Sequence, residues 1–403
     1  MSNMAAITGV GAVGPGFADV SQMLQLLFSG STDSCRPIKR FDTIRFQSQL
    51  AFQIESEHVH GDSSEWLIVR MGRQAMGEAL QMAGLDSLVS IPVIFATANA
   101  GVWEMEAAFG SLQSFVDYPT DVTGEGCSIH FGEPADRIVR EWGTTARPTV
   151  VSSGCTAGLD AIGLGWWDVL CGADVVAVIA AEAPITPMVV SAFDQAAALT
   201  DETSLSRHAS IPFDRNRSGF CLAEGSAALI LESKAHVMRR RGRALGWVRG
   251  YSVASSAFHM TAIREDGRAI GRVVEQAMAV GGVGPSDVGL IAPHATSTVQ
   301  NDRAEYNAFR SVFGDLDEIP LFCPKAHMGH SLGASGALET IATLGLLNKG
   351  WAPAYPHLDE RSIEFGGLHL PPMSCRLGSN LAVKNSSGFS GIHSAIVLEG
   401  DSC

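Results

Sequence analysis

Three short stretches hold the residues best suited to chemistry. Val151-Ser152-Ser153-Gly154-Cys155-Thr156-Ala157-Gly158 reads as a buried strand, a turn of small residues with a cysteine at its tip, and then an apolar helix over Leu159–Leu170. A cysteine at a helix start feels the positive end of the helix dipole, which predicts a lowered pKa and a nucleophilic thiolate. The unpaired backbone N–H groups of such a turn suit an oxyanion. Pro293-His294-Ala295-Thr296-Ser297-Thr298 ends a second strand. Lys325-Ala326-His327-Met328-Gly329-His330-Ser331-Leu332-Gly333 is a glycine-rich turn that opens a helix. A lone histidine is more often a packing residue. Two on separate strand-end turns, together with a candidate cysteine, form a constellation able to stabilise an enolate and move protons near neutral pH.

Two other motifs match chemistry only formally. Gly9-Val10-Gly11-Ala12-Val13-Gly14 fits G-x-G-x-x-G and follows a strand-like run. Its acid, Asp33, sits in a polar stretch rather than at the end of a second hydrophobic strand, so a plain tight turn is expected. Gly329-His330-Ser331-Leu332-Gly333 fits G-x-S-x-G, with Asp359 and His369 or His393 downstream to complete a serine-hydrolase order. Pro324–Met328 makes a poor strand for the elbow which that chemistry needs.

Elements of an α/β pattern must position these turns. Apolar runs at Ala5–Val10, Ile91–Ala96, Thr149–Ser152, Val175–Ala181, Ser226–Leu231, Ala244–Val253, Val288–Pro293, Pro320–Cys323 and Ser394–Leu398 lack polar alternation. They fit strands covered on both faces. Helical spacing appears at Glu65–Ala83, Val274–Val280 and Gly336–Leu347. The basic run at 239–243 divides the chain into two unequal halves without visible sequence repetition.

The chain of 403 residues is 46% hydrophobic and 17% charged, as suits a globular enzyme with a large core. A net charge of -14 argues against nucleic-acid or anionic-membrane binding. The eight cysteines include no C-x-x-C pair, so neither zinc nor a redox dithiol is expected. No apolar run is long enough to span a membrane, and no basic leader opens the chain. These features lead us to expect a soluble cytoplasmic protein.

At these residues the sequence resembles the β-ketoacyl synthases over nearly its whole length. The resemblance rests on the Cys155 turn, on Pro212-Phe213-Asp214, Gly219-Phe220 and Ala223-Glu224-Gly225, on the His294 element, on Lys325 with Gly329-His330, and on Gly388-Phe389-Ser390-Gly391. It implies a thiolase-like α/β fold of two similar halves, 1–243 and 244–403, in five αβαβα layers. It implies decarboxylative Claisen condensation of an acyl thioester with malonyl carrier protein. Cys155 would be the nucleophile, His294 and His330 the histidine pair, Lys325 the supporting lysine and Glu339 the acid of the following helix. The N–H groups of Cys155 and Phe389 would form the oxyanion hole, and Thr296 and Thr298 would touch the phosphopantetheine arm. No cofactor of the enzyme's own is implied, because substrates ride on the phosphopantetheine of an acyl carrier protein.

Within the family, Pro184–Val190, Gln300–Arg303 and the ending after Phe389 look like the α ketosynthase of type II polyketide synthases. That implies a homodimer or a heterodimer with a chain-length-factor subunit. The alternative is that this chain is itself the non-elongating partner, and intact Cys155, His294 and His330 argue against it. A thiolase is a further reading, which the absence of a second C-terminal C-x-G cysteine disfavours. The sequence departs from the family at Ala295 and Ser390, where glycines are common, and at His393, which replaces Asn or Gln. It departs again at Ile211, where an Arg is common, and His327 adds a third histidine. Carrier proteins of this family are acidic, so Arg239, Arg240, Arg241 and Arg243, helped by Arg70 and Arg73, are the candidate docking patch.

Overall fold

The computed structural model describes residues 4–55, 58–110, 130–203, 209–356 and 363–401. Cys127, Cys403 and Asp359 lie outside the described residues. Among the described residues, nine strands form one sheet. They are β1 (Ala5–Val13), β2 (Val93–Ala96), β3 (Thr149–Val151), β4 (Val175–Glu182), β5 (Gly225–Ser233), β6 (Gly246–Ser255), β7 (Leu290–Ala292), β8 (Leu381–Ser387) and β9 (Ile392–Gly400).

From the centre outward, one side runs β1-β5-β4-β2-β3 and the other β6-β9-β8-β7. Next to β7, Leu321 bridges Ile291 in parallel. Numbered within each half, both sides therefore repeat the order 1-5-4-2-3. The halves meet where β1 pairs antiparallel with β6 over Ala5–Ile7. The duplication is structural, with no sequence repeat to announce it.

Two helices lie between the half-sheets, α2 (Ala157–Leu170) and α5 (Leu332–Lys349). Leu159, Ile162 and Trp166 of α2 and Leu338, Ile341 and Leu344 of α5 share one core with Val176 and Val178 of β4 and Ile396 of β9. The helices approach closely because a Cβ at Gly336 would stand 2.5 Å from Leu159 N. Outside the first half-sheet lies α1 (Leu67–Ala83), packed on Phe95, Ala177 and Ile179. Outside the second lies α3 (Arg268–Gly281), packed on Ile291, Val383 and Val397. This is the five-layered arrangement that the resemblance implies. Val176 and Val178 face the middle helices while Ala177 and Ile179 face α1. With both faces covered, β4 has no polar alternation.

The structure also accounts for the G-x-G-x-x-G match. Gly9 and Gly11 belong to β1, and α1 crosses directly over them. A Cβ would fall 2.0 Å from Ala79 O at Gly9 and 1.9 Å from Ala75 O at Gly11. The glycines serve strand–helix contact, so the tight turn expected at this motif is replaced by continuous strand, and the chain turns only after it, where Gly14 pairs with Phe17. We predict that Gly11→Ala destabilises the protein by about 1–3 kcal/mol through overpacking. Chemical denaturation measures it, and an unchanged midpoint would refute the packing role.

Two segments differ from the sequence expectation. Pro320–Cys323 makes isolated contacts beside β7 rather than a regular strand. Strand β8 was not expected, because Lys384-Asn385-Ser386-Ser387 reads as a polar surface stretch. All four are buried.

Candidate active site

The Cys155 turn is a short 3-10 segment, Gly154–Thr156, leading straight into α2. Gly154 takes a positive φ of 66°. Asp160, one turn into α2 and buried, clamps both sides of the turn. It accepts the Ser153 hydroxyl at 2.5 Å and the Thr156 hydroxyl at 2.7 Å. It also accepts Tyr251 OH at 2.8 Å and the Ser394 hydroxyl, tying the turn to β6 and β9 of the other half.

His294 follows β7. Its loop is held by Glu305 of α4 (Val299–Phe313), which accepts the His294 N–H at 2.6 Å and the Ala295 N–H at 2.7 Å. His330 is pinned by backbone bonds, donating to Cys221 O at 2.8 Å and accepting from Ala223 N at 3.0 Å. The two imidazoles stand edge to face, with ring centres 5.2 Å apart. Phe220 abuts His330 at 5.0 Å.

Behind the pair lies Lys325, buried on a short helical turn, Lys325–Met328. Its ammonium donates to Glu339 of α5, to His294 O at 2.6 Å and to His294 Nδ1 at 3.2 Å. An ammonium only donates, so Nδ1 accepts and the His294 proton sits on Nε2. His330 Nδ1 lies 2.9 Å from Ser335 Oγ.

Cys155, His294, His330, Thr296, Thr298 and Phe389 line one cavity of about 430 Å³. The Thr296 and Thr298 hydroxyls are 2.9 Å apart. The Gly388–Phe389 loop lies against the Cys155 amide, since a Cβ at Gly388 would stand 3.6 Å from Cys155 N. Phe389 is partly exposed and 6.1 Å from Phe193, ring to ring.

The electrostatics correct one expectation. Burial pushes the Cys155 thiol up to about 11, and the Lys325 ammonium only partly opposes it. Desolvation of the thiolate outweighs the helix-start advantage. A neutral thiol therefore needs a base when it attacks. Burial first, and then the Lys325 charge, hold His294 and His330 well below the ordinary histidine value, so both are neutral; His294, with Nδ1 taken by Lys325, can only donate from Nε2, which leaves His330 to accept a proton.

The departures have structural consequences. Ala295 and Ser390 take positive φ of 46° and 71°. This left-handed backbone favours glycine, and a side chain there costs of order 1 kcal/mol. His393, buried, places Nδ1 3.0 Å from Ser387 Oγ, and burial lowers its pKa to about 4. Ile211 is buried and donates its N–H to Ser297 Oγ at 3.0 Å. His327 is buried beside Lys325 and is not among the residues lining the cavity.

The arginine run does not stand at the cavity mouth. It follows β5 at its Ser233 end, whereas the site lies beyond the Gly225 end, roughly 25–30 Å away at about 3.3 Å per strand residue. Arg239 pairs with Asp174 at 2.6 Å, Arg240 with buried Glu232, and Arg243 with Asp401 at 3.5 Å. Arg241 closes the helix with φ 55°. Arg70 and Arg73 sit on α1 in an outer layer, and Arg73 pairs with Glu65 at 3.4 Å. Arg239, Arg240 and Arg243 are thus paired within the chain, and the run stands at the end of β5 away from the cavity.

The hydrolase alternative gains no geometry. Ser331 is buried with its Oγ 3.2 Å from Ser335 Oγ. A helical turn rather than a strand precedes it, and His393 is engaged with Ser387.

The sequence reading missed three residues. Asp160 and Glu305 sit in helices where acids look solvent-facing. Lys384 sits in the unexpected strand β8, with Nζ 2.7 Å from Glu339 Oε2.

Comparison with known proteins agrees with this arrangement. The model of the beta-ketoacyl synthase N-terminal domain matches residues 3–236, and that of the C-terminal domain matches 245–359. The tetracenomycin polyketide synthase ketoacyl synthase alpha subunit of Streptomyces glaucescens is 33% identical, over 97% of this chain and 96% of its own. A solved complex of a type II polyketide acyl carrier protein with its ketosynthase bound to the hexaketide superposes with a TM-score of 0.85 at 27% identity, covering all of both chains. The ishigamide ketosynthase/chain length factor superposes at 0.84 with 25% identity, again over both full chains. With its cysteine turn and histidine pair assembled around one cavity, this chain belongs to the β-ketoacyl synthase family.

Proposed function

We propose that this protein is the condensing, α-type ketosynthase of a type II polyketide system, acting in the cytoplasm on acyl groups carried by an acyl carrier protein. The observation that carries the reading is the convergence of Cys155, His294 and His330 on one cavity, backed by Lys325 and Glu339. In loading, Cys155 Sγ attacks the carrier-bound acyl carbonyl while a neutral histidine takes the thiol proton and passes it to the departing phosphopantetheine thiolate. Malonyl on a second carrier then loses carbon dioxide. The electron pair moves onto the thioester oxygen as an enolate, to which the His294 Nε2–H donates in this reading. The enolate carbon attacks the Cys155 thioester, the N–H groups of Cys155 and Phe389 hold the oxyanion, and collapse expels the Cys155 thiolate. Thr296 and Thr298 are suited to the phosphopantetheine arm.

We divide the chain at 1–243, which carries the nucleophile, and 244–403, which carries the histidine pair. The partners in this reading are the carrier and either a second copy or a chain-length-factor subunit; solved relatives include a ketosynthase with its acyl carrier protein and a ketosynthase/chain length factor. A retained Cys155 disfavours the non-elongating role. Reconstitution tests the proposal. The purified protein, alone and with a chain-length-factor subunit, is given acyl and malonyl carriers, and β-ketoacyl carrier is measured by mass. Condensation is expected in at least one arrangement. Loading without any condensation in either would overturn it.

A further inference from the structure

Two buried lysines share one carboxylate behind the histidine pair. Lys325 takes one oxygen of Glu339, and Lys384 takes the other at 2.7 Å. Lys384 is completely buried. It comes from β8, the strand that continues into Gly388 and Phe389. Its other contacts are the Asn385 carbonyl and, at 3.3 Å, Ser386 Oγ. Two of the ammonium hydrogens go to Asn385 O and Ser386 Oγ, and the approach to Glu339 Oε2 is an ion pair rather than a further hydrogen bond. Burial lowers the Lys384 pKa from its ordinary value, and the Glu339 carboxylate opposes that loss of charge. Glu305, the acid of α4, is already committed to the His294 and Ala295 amides and to Asn301 and Asn385, each at 2.8 Å. Lys325, Glu339 and Lys384 bring two amines to one carboxylate, with Glu305 acting on Lys384 from α4. The resemblance that names Lys325 assigns nothing to Lys384.

We propose that Lys384 is a positioning residue: it fixes Glu339 between two ammonium groups and keeps the neighbouring histidine pair neutral, His330 ready to accept the Cys155 proton and His294 to donate from Nε2. This rests on the histidine roles described above. The groups set against the pair are Lys325 from the short turn, Lys384 from β8 and His393 from β9, with Glu305 on the His294 backbone, Glu339 on Lys325, and Cys155 across the cavity. Lys384 adds to burial and to Lys325 in lowering both His294 and His330. Its removal lets both histidines rise toward their ordinary value. They then take up a proton at higher pH, and the acid side of the pH–rate profile moves upward.

The test is the pH profile of condensation in the full chain with acyl and malonyl carriers, for wild type, K384M, K384Q and K384R. K384M and K384Q should move the acid limb to higher pH, while K384R, which keeps the charge, should leave it in place. K384Q keeps a polar contact to Glu339 and supplies the measurement should K384M fail to fold. A limb that stays put in folded K384M or K384Q, or that moves equally in K384R, overturns the proposal. H294A in the same assay separates the two readings: if it condenses at the wild-type rate, the histidine roles themselves fail.

Discussion

Cys155→Ala is expected to lose condensation by about 10⁴-fold or more, the scale seen when a covalent nucleophile is deleted. The substitution removes a sulfur that lines the cavity and contributes little to the core. The turn itself is held by other bonds, from Ser153 and Thr156 to Asp160. The fold should therefore survive, and circular dichroism with thermal melting checks it. The high thiol pKa adds a second expectation. With the Cys155 pKa near 11, alkylation of the resting enzyme by a small electrophile should keep rising with pH through the neutral range and above. A plateau at pH 7 would show a resting thiolate and contradict the neutral-thiol account. Residual condensation above one-hundredth of wild type in Cys155→Ala would sink the nucleophile assignment.

His294→Ala is expected to separate the half-reactions. Decarboxylation relies on the Nε2–H that Lys325 fixes by donating to Nδ1 at 3.2 Å. Removing one such positioned donor costs about 10²–10³ in rate. Loading keeps the thiol, the oxyanion-hole amides and His330 as a base, so acyl transfer to Cys155 should persist. Conversely, Cys155→Gln puts an amide where the thioester would stand and leaves both histidines in place. It should release some carbon dioxide without condensing. The measurement is labelled carbon dioxide release from malonyl carrier, alongside acyl loading read by mass. Equal loss of both activities in both folded variants would show that Cys155 and His294 act as one unit.

Much of the architecture could be read from the sequence, because apolar runs without polar alternation are what a sheet covered on both faces leaves behind. The cysteine and histidine turns were legible for a similar reason: small residues at strand ends mark places where the backbone must turn tightly beside a cavity. Strand β8 was not legible. Lys384, Asn385 and Ser386 look like surface residues, and only Glu339 and Glu305, distant in sequence, make their burial tolerable. The helix-start argument for Cys155 failed because it counted the dipole and not the desolvation of a thiolate. A basic cluster in sequence does not reveal the acids that pair with it in the fold. Asp174 and Asp401 lie 65 and 158 residues from their partners. The glycines at 9 and 11 were correctly withheld from nucleotide binding, yet their reason, the passage of α1 over β1, lies in the packing.

The most direct test of the account maps the acyl group on the wild-type enzyme. The protein is incubated with acyl carrier, trapped at low pH, digested, and sequenced by mass spectrometry. The account predicts one acyl adduct, on the peptide that contains Cys155. An adduct on Ser331 instead, or an unmodified Cys155 in protein that still condenses, would contradict it.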